Sequence, residues 1–167
     1  LESTGTVNIL PDSGTNWQPL SSEAKIHNGA TLKTERDSKA SFLLKDGTYV
    51  IMDVDTEIKV VKNRNLNLIE GQILISIKAD EKPFIITTKN NIVTSNNSNI
   101  DIRISKHTIF VTVTKGEATV VVNGQERKVF EGRQLKLRTG GRPADINKVI
   151  QWAKEMRKKL KEQNKRN

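Results

Sequence analysis

Five short stretches of the chain start at a glycine and then alternate apolar with polar residues. They begin at Gly29, Gly47, Gly71, Gly116 and Gly132. The clearest runs Gly116-Glu117-Ala118-Thr119-Val120-Val121-Val122-Asn123-Gly124. Alternation of this kind is the period of a pleated strand with one dry and one wet face. Repeated from residue 5 to residue 138, it predicts stacked β-sheet and argues against a catalytic α/β scaffold.

The expected strands follow from the same period. Val7 alternates with Ile9, Ala30 with Leu32, and Ala40 with Phe42 and Leu44. Tyr49 and Ile51 continue on a return strand after Asp46-Gly47, which reads as a two-residue hairpin loop with positive φ at both positions. Ile58 and Val60, Leu66 and Leu68, and Ile73, Ile75 and Ile77 come next, and Phe84 and Ile86 start a strand after Pro83. Ile100, Ile102 and Ile104 alternate, as do Ile109, Val111 and Val113, and Asn123-Gly124 closes the best hairpin. Leu135 and Leu137 end the series. About twelve short strands at this spacing predict an all-β body, either a twisted β-solenoid-like winding or a β-sandwich. The glycine spacings show no constant period, which argues against a regular coil array.

The pattern breaks at Thr139-Gly140-Gly141-Arg142-Pro143. Beyond it Ile146, Val149, Ile150, Ala153, Met156 and Leu160 recur at spacings of three and four, the signature of one C-terminal amphipathic α-helix lying on the β body. Pro143 sits near its first turn and Asp145 near its positive end. The chain therefore divides into a β domain over 1–138, a Gly/Pro linker over 139–143 and a basic helix over 144–167.

Charge follows this division. The net charge is +9. Residues 142–167 hold nine Lys or Arg against Asp145, Glu155 and Glu162, which is 9 − 3 = +6, leaving 9 − 6 = +3 for the first 141 residues. There are no cysteines, so disulfides, zinc thiolates and thiol catalysis are absent together. No apolar run approaches the ~20 residues that span a bilayer. The first residues, Leu1-Glu2-Ser3-Thr4, are those expected of a trimmed or mature form that has lost a targeting or anchoring segment.

Few residues suggest chemistry. His27 and His107 have no carboxylate or nucleophile in a triad pattern and read as loop residues. Asp53, Asp55 and Glu57 alternate and would share a strand face. That makes them a weak cation candidate, although a straight row cannot wrap one ion. Asn90, Asn91, Asn96, Asn97 and Asn99 read as a turn and loop region, with a ligand-binding loop as the sharper alternative. No glycine pattern cradles phosphate. No catalytic residue and no cofactor is expected. Lys154, Arg157, Lys158, Lys159 and Lys161 are the candidate partner-binding residues. With Trp152 as the tail's one aromatic, an anionic surface or a protein suits them better than nucleic acid.

The ordered series of motifs resembles the FecR domain, the extracytoplasmic portion of bacterial anti-sigma regulators and of other envelope proteins. The resemblance rests on Gly5-Thr6-Val7, on Trp17-Gln18-Pro19-Leu20, and on Gly29-Ala30-Thr31-Leu32-Lys33-Thr34. It continues through Ser38-Lys39-Ala40-Ser41-Phe42-Leu43-Leu44-Lys45-Asp46-Gly47-Thr48 and Leu66-Asn67-Leu68-Ile69-Glu70-Gly71-Gln72-Ile73. It ends with Val113-Thr114-Lys115-Gly116-Glu117-Ala118 and Phe130-Glu131-Gly132-Arg133-Gln134. Gly5, Trp17, Gly29, Thr34, Asp46, Gly47, Gly71, Gly116 and Gly132 are the structural positions it implies. The chain departs from the family at Ser95-Asn96-Asn97-Ser98-Asn99, where a Gly-Thr pair is common. It also shows neither the sigma-binding helical segment nor the membrane span of the iron-transport regulators.

The resemblance therefore implies an envelope location and a non-enzymatic interaction or signalling module, with an envelope protein as partner. The alternative is a structural domain that binds cell-wall polymer or another anionic surface. A membrane-proximal position would come through an upstream anchor. An edge strand carrying Ile100–Ile104 is expected to accept a partner strand.

Overall fold

The computed structural model describes residues 1–138. They form fourteen strands: β1 (Glu2–Thr4), β2 (Val7–Leu10), β3 (Gln18–Pro19), β4 (Thr31–Thr34), β5 (Lys39–Leu43), β6 (Tyr49–Met52), β7 (Glu57–Lys62), β8 (Asn65–Ile77), β9 (Phe84–Thr88), β10 (Asn91–Ser95), β11 (Ser98–Ser105), β12 (Thr108–Val122), β13 (Gln125–Phe130) and β14 (Arg133–Arg138). The expected linker, the expected helix and Lys154, Arg157, Lys158, Lys159 and Lys161 lie outside the described residues.

The strands make two sheets. Sheet A runs β1-β5-β6-β8-β11-β12-β14. Sheet B runs β3-β2-β4-β7-β8-β9-β10-β12-β13. The long strands β8 and β12 belong to both. Residues 65–70 of β8 pair in sheet B and 71–77 in sheet A, whereas β12 pairs in sheet A up to Gly116 and in sheet B from Glu117. Among the described residues only β8 and β9 pair in parallel. A solenoid stacks parallel coils, so of the two expected architectures the described residues adopt the two-sheet one.

The bends in β8 and β12 have a local cause. Inward residues change from even positions (Leu66, Leu68) to odd ones (Ile73, Ile75, Ile77) across Gly71. They change from odd (Ile109, Val111, Val113) to even (Ala118, Val120) across Gly116. A bulge accompanies each change. Glu57 faces Glu70 while Ile58 faces Leu68, which leaves Ile69 extra. Asn99 faces Lys115 while Ile100 faces Val113, which leaves Thr114 extra. One extra residue shifts the alternation by one and bends the strand, which lets it leave one sheet and enter the other.

Inward residues of both sheets merge into one core, from Val7, Leu32, Ile58, Leu66, Phe84 and Val120 of sheet B to Val50, Met52, Ile75, Ile102 and Val111 of sheet A. Burying one such Ile or Val contributes about 1.5–3 kcal/mol.

Three expectations need correction. On β6 the core takes Val50 and Met52, and Tyr49 points outward, because the loop before it is one residue longer than expected. The Gly47 amide donates to the Leu44 carbonyl and only Gly47 is left-handed (φ 83), so Lys45–Gly47 form a three-residue loop with a glycine bulge rather than a two-residue one. Asn123-Gly124 does have positive φ at both positions (51 and 78). The Asn-rich stretch is mostly strand: β10 begins at Asn91 and β11 at Ser98, because Ile92 and Val93 pair between β9 and β12. Finally, β11, which carries Ile100–Ile104, is hydrogen-bonded on both sides and offers no free edge.

Candidate functional site

Three glycines stand where the chain passes between sheets, and each abuts a hydroxyl residue on a neighbouring corner. Gly5 (φ 76) links β1 of sheet A to β2 of sheet B and lies against Ser38, whose Oγ accepts a hydrogen bond from the Thr6 amide at 2.8 Å. Gly71 (φ 86) lies against Thr56; the Gln72 amide donates to Thr56 Oγ1 at 3.0 Å. Gly116 (φ 80) lies against Asn97 and Ser98. A side chain at any of these positions would be both strained and in collision.

Around Gly71 the hydroxyls form a relay. Thr34 Oγ1 donates to Asp53 O at 2.6 Å and accepts from the Thr56 amide at 3.0 Å, and Thr56 Oγ1 donates to Val54 O at 3.0 Å. Thr34 and Thr56 are both fully buried. They satisfy corner groups that the sheet ladders leave over, as buried polar backbone requires. At the opposite end the Ser98 hydroxyl donates to Ser95 Oγ at 2.7 Å and that of Ser95 to Glu117 O at 2.7 Å. There Glu131 accepts from the Gly116 amide at 3.0 Å, and the Gly132 amide donates to the Val113 carbonyl at 2.8 Å.

Asp46 is the centre of a third cluster. Its Oδ1 accepts from the Thr48 amide at 2.9 Å; its Oδ2 accepts from the Thr48 hydroxyl at 3.0 Å and from Arg64 Nη1 at 2.5 Å. Arg64 sits in the β7–β8 turn with φ 56, donates through Nε to Lys82 O at 2.8 Å, and stacks over Phe84 at 5.5 Å. One buried guanidinium thus ties the β5–β6 turn, the β7–β8 turn and the β8–β9 loop together. The side chains are 7% and 15% exposed.

The three alternating carboxylates are not brought together. Asp53 and Asp55 fall in the turn between β6 and β7, Asp55 with φ 48, and only Glu57 is on a strand. Asp53 forms an ion pair with Lys39 at 2.9 Å. No set of three His, Cys, Asp or Glu among the described residues is arranged to hold a metal ion.

The Lys39 hydrogen bond, ahead of an opposing contribution from burial, holds the Asp53 carboxyl below the ordinary aspartate value. A depressed folded-state pKa means that the contribution is present above the unfolded value and fades as pH falls through the folded one. Lys39→Ala should raise the Asp53 midpoint toward the ordinary range in a carboxyl NMR titration; an unmoved midpoint would refute the pairing. The stability at stake is under about 1 kcal/mol, because both side chains are solvent-screened.

Other expected positions scatter. His27 lies in an exposed loop and His107 in an exposed turn. Trp17 is 41% exposed beside β3. Gly29 is left-handed and packed against Asp12, while Gly132 has open space beside it. Sequence reading missed Arg64, Ser38, Thr56 and Ser98. Only the position of Ser38 and Thr56 just before a strand, and of Ser98 at the first residue of one, hinted at a corner. The outer face of sheet A exposes an apolar strip: Leu43 faces Tyr49 and Ile51 faces Leu74, with Leu43 67% exposed.

A two-sheet β body whose glycine and aspartate motifs are turned onto one another defines an all-β module in which the motif residues serve architecture. Residues 30–141 match the FecR protein family, which is well over half of the 167-residue chain, and the chain belongs to that family. Gly5, Trp17 and Gly29 precede the matched span. No curated protein matches the chain. Two crystal structures of a candidate anti-sigma factor from Parabacteroides distasonis ATCC 8503 share the fold, with TM-scores of 0.60 and 0.59, each at 19% identity. The likeness covers 73% of this chain and 63% of that one, so this chain spans less than two thirds of that protein's length.

Proposed function

We propose that this chain is a non-enzymatic extracytoplasmic module of the bacterial envelope that relays a signal by binding another protein. The observation that carries this reading is membership of the FecR family, supported by a fold shared with a candidate anti-sigma factor. The arrangement of the described residues agrees with it. Thr34, Thr56, Arg64, Ser95 and Ser98 bond within the body at corners and turns, which leaves recognition to the outer surfaces.

The apolar strip of Leu43, Tyr49, Ile51 and Leu74 is the surface on which to test it. Exposed apolar patches on an otherwise charged surface mark contact sites. The partner would be an envelope protein with an apolar face of its own. A photo-crosslinker at Leu43 should yield one adduct of defined mass in intact cells producing the full-length protein, and Leu74→Asp in the same chain should abolish it. Absence of any protein adduct, at Leu43 and at Tyr49 alike, would contradict the reading.

A second reading is a structural domain that holds an anionic cell-wall polymer. The observation favouring it is the +6 charge on residues 142–167. It replaces the protein adduct with salt-sensitive retention on that polymer.

A further inference from the structure

The outer face of sheet A is divided by chemistry. The strand registers order its residues in rows across the sheet. One row runs Ser41, Ile51, Leu74, Asp101, Thr112 and Gln134, and the next holds Gln72, Arg103, Phe110 and Lys136. On β5, β6 and β8 the face carries the apolar strip of Leu43, Tyr49, Ile51 and Leu74. On β11, β12 and β14 it is basic, with Arg103, Lys136, Arg138 opposite Thr108, and Lys115 opposite Asn99. All four cations are exposed.

Phe110 sits at the middle of the basic half. Arg103 Cζ lies 4.6 Å from its ring centroid and Lys136 Nζ 5.8 Å from it. One cation over a ring is favourable. Two on the same ring also repel each other, and no acid of the face relieves them. None of the four cations joins an ion pair among the described residues. The acids of the face and its border are engaged or remote. Asp101, beside Arg103, accepts from Gln72 Nε2 on both carboxylate oxygens at 2.9 Å. Asp53 is paired with Lys39, and Glu131 accepts from the Gly116 amide. Glu2 lies on β1, four strand positions from β11, or roughly 19 Å.

We infer that this face receives a partner protein whose contact surface is apolar at its centre and carries carboxylates along one side. The apolar part seats on Ile51 and Leu74, and the carboxylates meet Arg103 and Lys136 on either side of Phe110. This rests on the protein-binding reading above and names the chemistry of that partner. The two halves are near enough for one contact, because β8 and β12 are two strand positions apart here, or about 10 Å. A cell-wall polyanion matches only the basic half and leaves Leu43 and Leu74 in water. A second copy of this chain matches only the apolar half: its own copy of the face brings four more cations and no unengaged acid except Glu2. The unpaired charge therefore discourages self-association and selects a partner of opposite sign.

Photo-crosslinkers at Leu43 and at Gln134, one in each half, test this in intact cells producing the full-length protein. Both positions should give the same protein adduct. Arg103→Glu with Lys136→Glu should lower the Leu43 adduct at least ~10-fold. Arg103→Gln with Lys136→Gln should lower it less, and keeps the test meaningful where the reversed pair unfolds. Lys62→Glu with Lys89→Glu reverses two exposed cations of sheet B and should leave the yield unchanged. A Leu43 adduct indifferent to both changes at Arg103 and Lys136 would overturn this inference and leave the protein-binding reading standing. Absence of any adduct at either position would overturn both. A protease-resistant polymer captured at Gln134, or an adduct of twice the chain's mass, would assign the face to a polyanion or to a second copy and overturn the inference.

Discussion

Gly71→Ala is expected to lose about 2–5 kcal/mol of stability, enough to erase much of the margin of a domain this size. The sum has two parts. A left-handed alanine costs about 1–2 kcal/mol, and forcing a methyl group into filled space about 1–3 more. The space is filled by backbone: an added Cβ would lie 2.5 Å from Thr56 Cα and 2.7 Å from Asp55 O, atoms that cannot swing aside. Displacing Thr56 would also strain the hydroxyl relay to Thr34 and Gln72. Gly124→Ala is the matched comparison. Gly124 has φ 78 but nothing within 4 Å, so it should cost only the conformational part. Urea midpoints at unchanged slope measure both. Equal losses in the two variants would show that close packing at the corner has no weight.

Asp46→Ala should cost about 3–5 kcal/mol, because it leaves the Arg64 guanidinium buried and without its charge partner. Two further bonds go with it, those from the Thr48 amide and hydroxyl. The β5–β6 turn would then lose its tie to the β7–β8 turn. Arg64→Met in the Asp46→Ala background should recover part of the loss, since it removes the stranded charge and keeps apolar contact with Phe84. A double-mutant cycle by denaturant unfolding reads this directly. Strictly additive losses would mean that the ion pair is not the reason the aspartate is there.

These two sites show how far the sequence could be read. Alternation exposed β8, β11 and β12 as strands, and positive-φ chemistry exposed Gly71, Gly116 and Asn123-Gly124 as special positions. It could not say that Gly71 and Gly116 sit inside continuous strands, because a corner glycine and a turn glycine look alike without their neighbours. The bulges at Ile69 and Thr114 depend on pairing partners about 12 and 15 residues away in sequence. Pattern at one position carries no record of that. Asp46 was visible as part of a motif, but its partner Arg64 was not: a buried arginine in a turn has the same local surroundings as a solvated one. The Asn-rich stretch misled for a related reason. Asn91 and Asn99 favour turns by themselves, and the pairing of Ile92 and Val93 with two neighbouring strands overrides that preference. The three carboxylates failed as a row because positive φ at Asp55 puts a turn where a strand was expected.

The account rests on β8 and β12 fastening both sheets into one cooperative body. Native-state hydrogen exchange tests that most directly. The slowest amides of residues 65–68 and 73–77, on either side of Gly71, should converge on one opening free energy equal to that of global unfolding, as should those of 109–113 and 118–122 around Gly116. Loss of protection in one sheet at a denaturant concentration where the other remains closed would contradict it.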